Sequence, residues 1–374
     1  MALADYETYD GLGLADLVAR KEVSPSELLE DAISRAEARN PALNAIVFEA
    51  YDEARAVAAG DLPDGPFRGV PFVLKDISCP VKGWPHTHGS KFLAGNTSDA
   101  DGPLARRYRE AGLVLMGQTN TPEFGITGTT EGAHFGPCRN PWNTDYSAGG
   151  SSGGAAAAVA AGILPMAHAA DGLGSIRIPA ACCGLFGMKT TRDRVPTSAN
   201  DMGASIGMVV EHVVTRSVRD SAAMLDATGY PEGDEPFAFP AKARPYLEEI
   251  ETPPRRLRIA FHCETPSGRP VHAEIRAALE HTAKLLEDLG HDVEEHGLNV
   301  DYRRLYAAQT MVSGSNFAAM IDRAIARVGR EPEPDEFEPL TWRNYKGSKK
   351  ALTGTMAMEG WATMRSLGRD VMRV

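Results

Sequence analysis

Apolar positions along "VSPSELLEDAISRAEARN" recur at helical spacing, with Leu28, Leu29, Ile33 and Ala36 falling on one face of a 3.6-residue repeat. Ser24 ahead of Pro25, with Glu27 three residues after the serine, supplies a start signal, because the two side chains can satisfy the first free N–H groups. Residues 69–76, "GVPFVLKD", follow another pattern, a short unbroken apolar run that stops at Lys75. That is the signature of a buried strand with a lysine at its end. "ADGPLARRYREAG" then reads as a helix and "LVLMGQTN" as a second buried strand, an alternation that predicts parallel strands joined by helices. Residues 153–161 are nearly all small, which suits a helix whose backbone lies close against a sheet, and "GILPMAHAAD" reads as the strand after it. Farther on, "LRIAFH", "HAEIRAALEHTAKLLEDLG" and "HDVEEH" spell strand, amphipathic helix and strand. About residues 230–254 the chain turns rich in Pro, Glu and Asp, which predicts a surface excursion within one domain over residues 1–374.

Composition narrows the class. With 374 residues, 43% of them hydrophobic and 24% charged, a sizeable core is available. The formal charge of −11 excludes a global basic field for nucleic acid or an anionic membrane, and points to small or neutral partners. Five cysteines without a C-x-x-C pair or a histidine at ligand spacing predict reduced thiols in a cytoplasmic setting, with no metal centre. The opening "MALADYETYDGLGL" carries acids where a secretory signal has basic and apolar residues, and no run approaches the roughly 18 apolar residues of a membrane span.

Two stretches carry candidate chemistry. "GSSGG", residues 150–154, fits the nucleophile-elbow pattern with Ser152 at its centre, but its lead-in "NPWNTDYSAGG" is polar where an elbow needs a hydrophobic strand. A phosphate loop would end in Gly-Lys-Ser/Thr, and no lysine is present. Alone, the segment reads equally as a plain flexible loop. The second stretch, "AADGLGSIRIPAACCGLFGMKTT", sets Ser175 after glycines that let successive N–H groups turn inward together, as an anion pocket requires.

Lys75 in "GVPFVLKD", Ser151 in "GGSSGG" and Ser175 in "DGLGSIRIP", with "GQTNTPEFG" and "NPWN" between them, resemble the amidase signature family over nearly the whole chain. "HFGPCRNPWN" and "AHAADGLGSIRIPAACCGLFG" are most similar to the branch of 6-aminohexanoate cyclic-dimer hydrolases. The resemblance implies an α/β fold with a large mixed, mostly parallel sheet covered by helices on both faces, its signature core at about residues 65–220. It also implies a Ser, cis-Ser, Lys triad that cleaves amides without a cofactor. Family members commonly run on past this length, so a chain ending at "SLGRDVMRV" inside a helix is expected to lack the family's C-terminal portion.

The residues can also be read bottom-up beside that resemblance. A serine hydroxyl needs a base, and no histidine lies within either motif; His168 reads as a packed strand residue. Lys75, ending an apolar strand, is the residue whose burial can supply one, since desolvation lowers a lysine from about 10.4 by as much as about 3–5 pH units. Ser151 would relay the proton of Ser175 to neutral Lys75, being donor and acceptor at once. The plain alternative is a surface lysine paired with Asp76. Backbone N–H groups of Gly172, Leu173, Gly174 and Ser175 would form the oxyanion hole, with Asp171 and Arg177 a pair bracing the loop. Leu173 stands where the family usually has glycine, which predicts strain if a positive φ is required there. The resemblance implies that residues 124–131 line the pocket, with Gly125, Thr129, Thr130 and Ser152 expected to touch substrate. Met and Phe in "YAAQTMVSGSNFAAM" either form another wall or pack a helix. A small linear or cyclic amide is the expected partner, with a homodimer left open. The rival readings are the amidotransferase subunit that feeds ammonia to a tRNA-modifying complex, and an inactive relative that keeps only the scaffold.

Overall fold

A computed structural model describes residues 5–197, 207–230, 241–265, 267–298 and 300–373. Of the expected surface excursion, residues 231–240 lie outside the described residues. The chain divides into two compact units, Met1–Glu251 with Met320–Trp342, and Thr252–Ala319 with Arg343–Val374.

The first unit opens with α1 (Gly11–Ala19), α2 (Pro25–Leu43), β1 (Ile46–Glu49), α3 (Tyr51–Ala58) and β2 (Pro71–Lys75). Helix α2 starts on the predicted capping box, with Ser24 and Glu27 each bonded to the other's backbone. Next come α4 (Pro103–Glu110), β3 (Val114–Thr119), the ribbon β4 (Arg139–Asn140) and β5 (Asn143–Ser147), α5 (Gly153–Ala160) and β6 (Met166–Asp171). The unit continues with α6 (Arg177–Cys183), β7 (Phe186–Gly187), β8 (Val210–Thr215), α7 (Val218–Thr228) and the short α8 (Tyr246–Glu249). Strands run in the order β1-β3-β2 and β6-β8-β7. Pairing is mixed: β2 and β3 are parallel as the alternation predicts, while β1–β3, β4–β5, β6–β8 and β7–β8 are antiparallel. The alternation in sequence cannot reveal this, because β1 and β8 enter their sheets from the opposite end and a buried strand looks the same in either direction.

Apolar side chains of α2, β2, β3, α5 and β6 form the core, Leu28, Phe72, Leu74, Val114, Met116, Val159 and Met166 all being sealed from solvent. Each such side chain contributes about 1.5–3 kcal/mol relative to exposure. The small residues of α5 have the predicted cause: a Cβ at Gly154 would stand 2.4 Å from the Asn120 backbone nitrogen and 2.6 Å from the Ala45 carbonyl oxygen.

In the second unit, β9 (Arg258–Phe261) and β10 (Asp292–Glu295) pair in parallel around α9 (Ala273–Asp288), the strand, helix and strand expected. Helices α10 (Tyr302–Val328) and α11 (Pro339–Ala351) contribute residues to both units, and α12 (Gly354–Val371) is the last described helix. No described helix is long and apolar enough to cross a membrane.

Candidate active site

Strand β2 delivers Lys75 into the interior, where the residue is 2% exposed. Its Nζ donates to Ser151 Oγ at 2.7 Å. Burial strips water from the ammonium form and brings its pKa from 10.5 down to about 8, against the opposing pull of Glu211 and Asp171. Lys75 is therefore not a surface lysine paired with Asp76. The Asp76 carboxylate accepts instead from the Thr87 N–H at 2.9 Å, the Thr87 hydroxyl and the Gly89 N–H.

The serine loop is held from several sides. The Gly150–Ser151 peptide bond is cis, as the resemblance implies. Thr121 Oγ1 donates to the Ser151 carbonyl at 3.0 Å, and Thr130 Oγ1 donates to the Gly149 carbonyl at 2.9 Å while accepting from the Gly153 N–H at 3.1 Å. Gly150 lies so close to the Thr129 backbone that a Cβ would meet its carbonyl oxygen at 2.5 Å. Gly125, at φ +66°, faces Ser151, and a Cβ there would come within 3.2 Å of Ser151 Oγ. Ser152 is sealed from solvent; its hydroxyl donates to the Ala170 carbonyl at 3.3 Å and accepts from the Ala170 N–H at 3.4 Å. Of the four residues expected to touch substrate, Gly125 lies beside Ser151 and Thr129 is exposed, whereas the Thr130 and Ser152 hydroxyls are spent inside the fold.

Strand β6 ends in Asp171, and the loop after it wraps around that carboxylate. Arg177 binds it through two contacts of 2.9 Å, and the N–H groups of Gly174 and Ile176 donate to it at 2.7 and 3.2 Å. Burial works to raise the Asp171 pKa, but Arg177 and these donors outweigh it and the carboxyl ends below its usual range. The Gly174 N–H, one of the four donors expected to form an oxyanion hole, is thereby engaged by Asp171. The predicted strain at Leu173 does not arise. Gly174 takes the positive φ, +122°, and a Cβ there would meet Ile178 Cδ1 at 2.8 Å, while Leu173 is not among the positive-φ residues and is 69% exposed.

Ser175 follows, partly exposed, and the Ser152 N–H donates to its carbonyl at 3.3 Å, tying the two serine loops together. Among the described residues the Ser175 hydroxyl makes no hydrogen bond to Ser151, so Lys75–Ser151 is the formed part of the line. A hydroxyl rotor free to turn is common before substrate binds.

His168 is a packed strand residue, as expected, yet it touches the site. Its Nδ1 accepts from the Lys75 backbone N–H at 3.1 Å and its Nε2 lies 2.9 Å from Glu211 Oε2. The sequence signal for Glu211 is a charge inside the apolar run "VVEHVVT". In α10, Phe317 and Met320 are buried, which favours helix packing for that segment.

Residues 27–365 match the family model described as Amidase. The 6-aminohexanoate-cyclic-dimer hydrolase of Paenarthrobacter ureafaciens is 38% identical over 351 residues, covering 90% of this chain and 69% of that protein. An acylamidase of Rhodococcus erythropolis is 38% identical over 290 residues, 75% of this chain and 60% of its own length. Among solved structures, 6-aminohexanoate cyclic dimer hydrolase complexed with substrate superposes with a TM-score of 0.94 at 35% identity, covering 99% of this chain and 77% of that one. A bacterial aryl acylamidase of the amidase signature family gives 0.88 at 29% identity, over 98% and 77% of the two chains. Extent, identity and fold agree: this chain belongs to the amidase signature family of amide hydrolases.

Proposed function

We propose that the chain hydrolyses a carboxamide bond of a small linear or cyclic amide through an acyl-enzyme on Ser175. Ser175 Oγ attacks the carbonyl carbon as its proton passes to Ser151 Oγ and the Ser151 proton passes to neutral Lys75 Nζ. The tetrahedral intermediate places its oxyanion toward the N–H groups of Gly172, Leu173 and Ser175, donors that need no reorganisation as charge develops. When the C–N bond breaks, Lys75 returns a proton through Ser151 to the departing amine. Water then repeats the sequence on the ester, leaving the carboxylic acid and free Ser175. Asp171 with Arg177 shapes the Ser175 loop, and Thr130 and Ser152 brace the relay serine without touching substrate.

The observation that carries this reading is the 2.7 Å bond between a buried Lys75 and Ser151, with the lysine brought to about 8 by burial. At that value about a tenth of the lysine is neutral at pH 7, enough to serve as a base. The named relatives, a cyclic-dimer hydrolase and an acylamidase, support the amide class, and the exposed Thr129 and Leu173 place few restrictions on the acyl group. A fluorophosphonate probe tests it. Labelling should map to the peptide carrying Ser175, vanish in Ser175→Ala and fall at least a hundredfold in Lys75→Ala. A native protein that stays unlabelled, or labels equally without Lys75, would refute it.

A further inference from the structure

Behind the amine of Lys75 lies a pair of polar side chains that the proposed reaction does not use. His168 is 0% exposed and Glu211 is 1% exposed. In the antiparallel β6–β8 pair, Glu211 stands opposite Ala170, so its side chain reaches His168 diagonally on the same face. Nδ1 of His168 accepts a backbone N–H, so the proton of the neutral ring is on Nε2 and is donated to Glu211. The ring edge of Tyr108 packs on the imidazole at 5.8 Å between centroids, fixing its plane.

Packing alone does not account for this pair. Burying a carboxylate is costly unless its oxygens and its charge are both compensated. Glu211 Oε2 has His168, but Oε1 makes no hydrogen bond among the described residues. The other acids near Lys75 are committed elsewhere, Asp171 to Arg177 and the loop amides, Asp76 to Thr87 and Gly89. Among the described residues the acids that pull on the Lys75 amine are Glu211 and Asp171, with neutral Tyr108 and His168 packed beside them, and Glu211 is the one whose charge is not taken up by a cation.

We propose that Glu211, acting through His168, is a positioning residue for Lys75. The fixed imidazole grips the Lys75 main-chain N–H at the end of β2, and the buried carboxylate stabilises the ammonium that forms when Lys75 takes the serine proton. The inference rests on Lys75 being the base proposed above. It adds that the strength of that base is set from behind by a charge two strands away, on β8.

The test is the pH dependence of the second-order rate constant for fluorophosphonate labelling of Ser175, compared between the native protein, Glu211→Gln and Glu211→Asp. Gln keeps an acceptor for His168 Nε2–H and deletes only the charge. Losing an anion weakens the base, so the acid limb should move to lower pH by about one unit while the plateau falls several-fold. Asp, which keeps the charge, should hold the native midpoint near 8 with a changed plateau. A purely structural role would lower the plateau and leave the midpoint in place, and that result overturns the proposal. So would a Gln variant that fails to fold, since the carboxylate would then serve stability. A native acid limb that persists unchanged in Lys75→Ala is a different failure: it removes Lys75 as base, and this inference with it.

Discussion

Replacing Lys75 with methionine should stabilise the protein while abolishing its chemistry. The lysine titrates near 10.5 when unfolded and at about 8 in the fold, where it is sealed from solvent. Between these values the unfolded chain binds the proton more tightly, so stability rises with pH across the window from about 8 to 10.5. Below pH 8 the folded state bears the whole cost, about 3 kcal/mol from the difference in pKa. Methionine has a similar length and no charge, so it removes that cost. It also removes the bond to Ser151 Oγ, a loss of about 1 kcal/mol. The balance is a gain of about 2 kcal/mol at pH 7, shrinking to nothing or reversing near pH 10.5. Urea unfolding of native and variant protein at pH 7 and pH 10, each monitored by tryptophan fluorescence and circular dichroism, measures both ends. A variant less stable than native at pH 7, or a difference that stays constant across the two pH values, would refute the assignment of a buried amine whose pKa is lowered by desolvation.

Other perturbations have separate signatures. Gly174→Ala asks an alanine to hold φ +122° with its Cβ 2.8 Å from Ile178 Cδ1, and should cost about 2 kcal/mol and most of the labelling of Ser175; native stability by urea unfolding would show that the loop does not need this conformation. Thr130→Val deletes the hydroxyl that joins Gly149 to Gly153 and should cost about 1–3 kcal/mol, with slower labelling but an unchanged KM for any amide found to be cleaved. A raised KM at native kcat would instead return Thr130 to the substrate wall. Asp171→Ala leaves Arg177 and the Gly174 and Ile176 amides without their acceptor, and thermal unfolding with parallel activity assays should show both falling together. Because the Asp171 carboxyl sits below its usual range, its contribution is present at neutral pH and should be lost as the pH falls below the ordinary aspartate value of 3.8.

Much of this was legible in the sequence because the signals are local. Ser24, Pro25 and Glu27 start α2 whatever surrounds them, and the run "PFVLK" needs only its own apolarity to be a buried strand with a lysine at its end. The glycines around Ser151 and the alanines of α5 record close approach, which leaves a mark in residue size. Strand direction leaves none, and the antiparallel entry of β1 and β8 stayed hidden. Three placements share a cause, in that a residue type does not say which way its polar atoms turn. Thr130 and Ser152 face the fold, and the Gly174 N–H faces Asp171. The positive φ that would have strained Leu173 is borne by Gly174, one residue along. His168 and Glu211 lie 43 positions apart and meet only through the β6–β8 pairing, so neither motif pointed to them as a pair.

The protonation state of Lys75 can be read without any substrate. Protein labelled with carbon-13 at the lysine Cε positions, with the Lys75 resonance assigned by its loss in Lys75→Met, can be titrated by NMR from pH 6 to pH 11. Lys75 should lose its proton with a midpoint near 8 while exposed lysines hold theirs to above 10. A Lys75 that remains an ammonium to pH 10 would contradict the proposal that this amine is the base for Ser175.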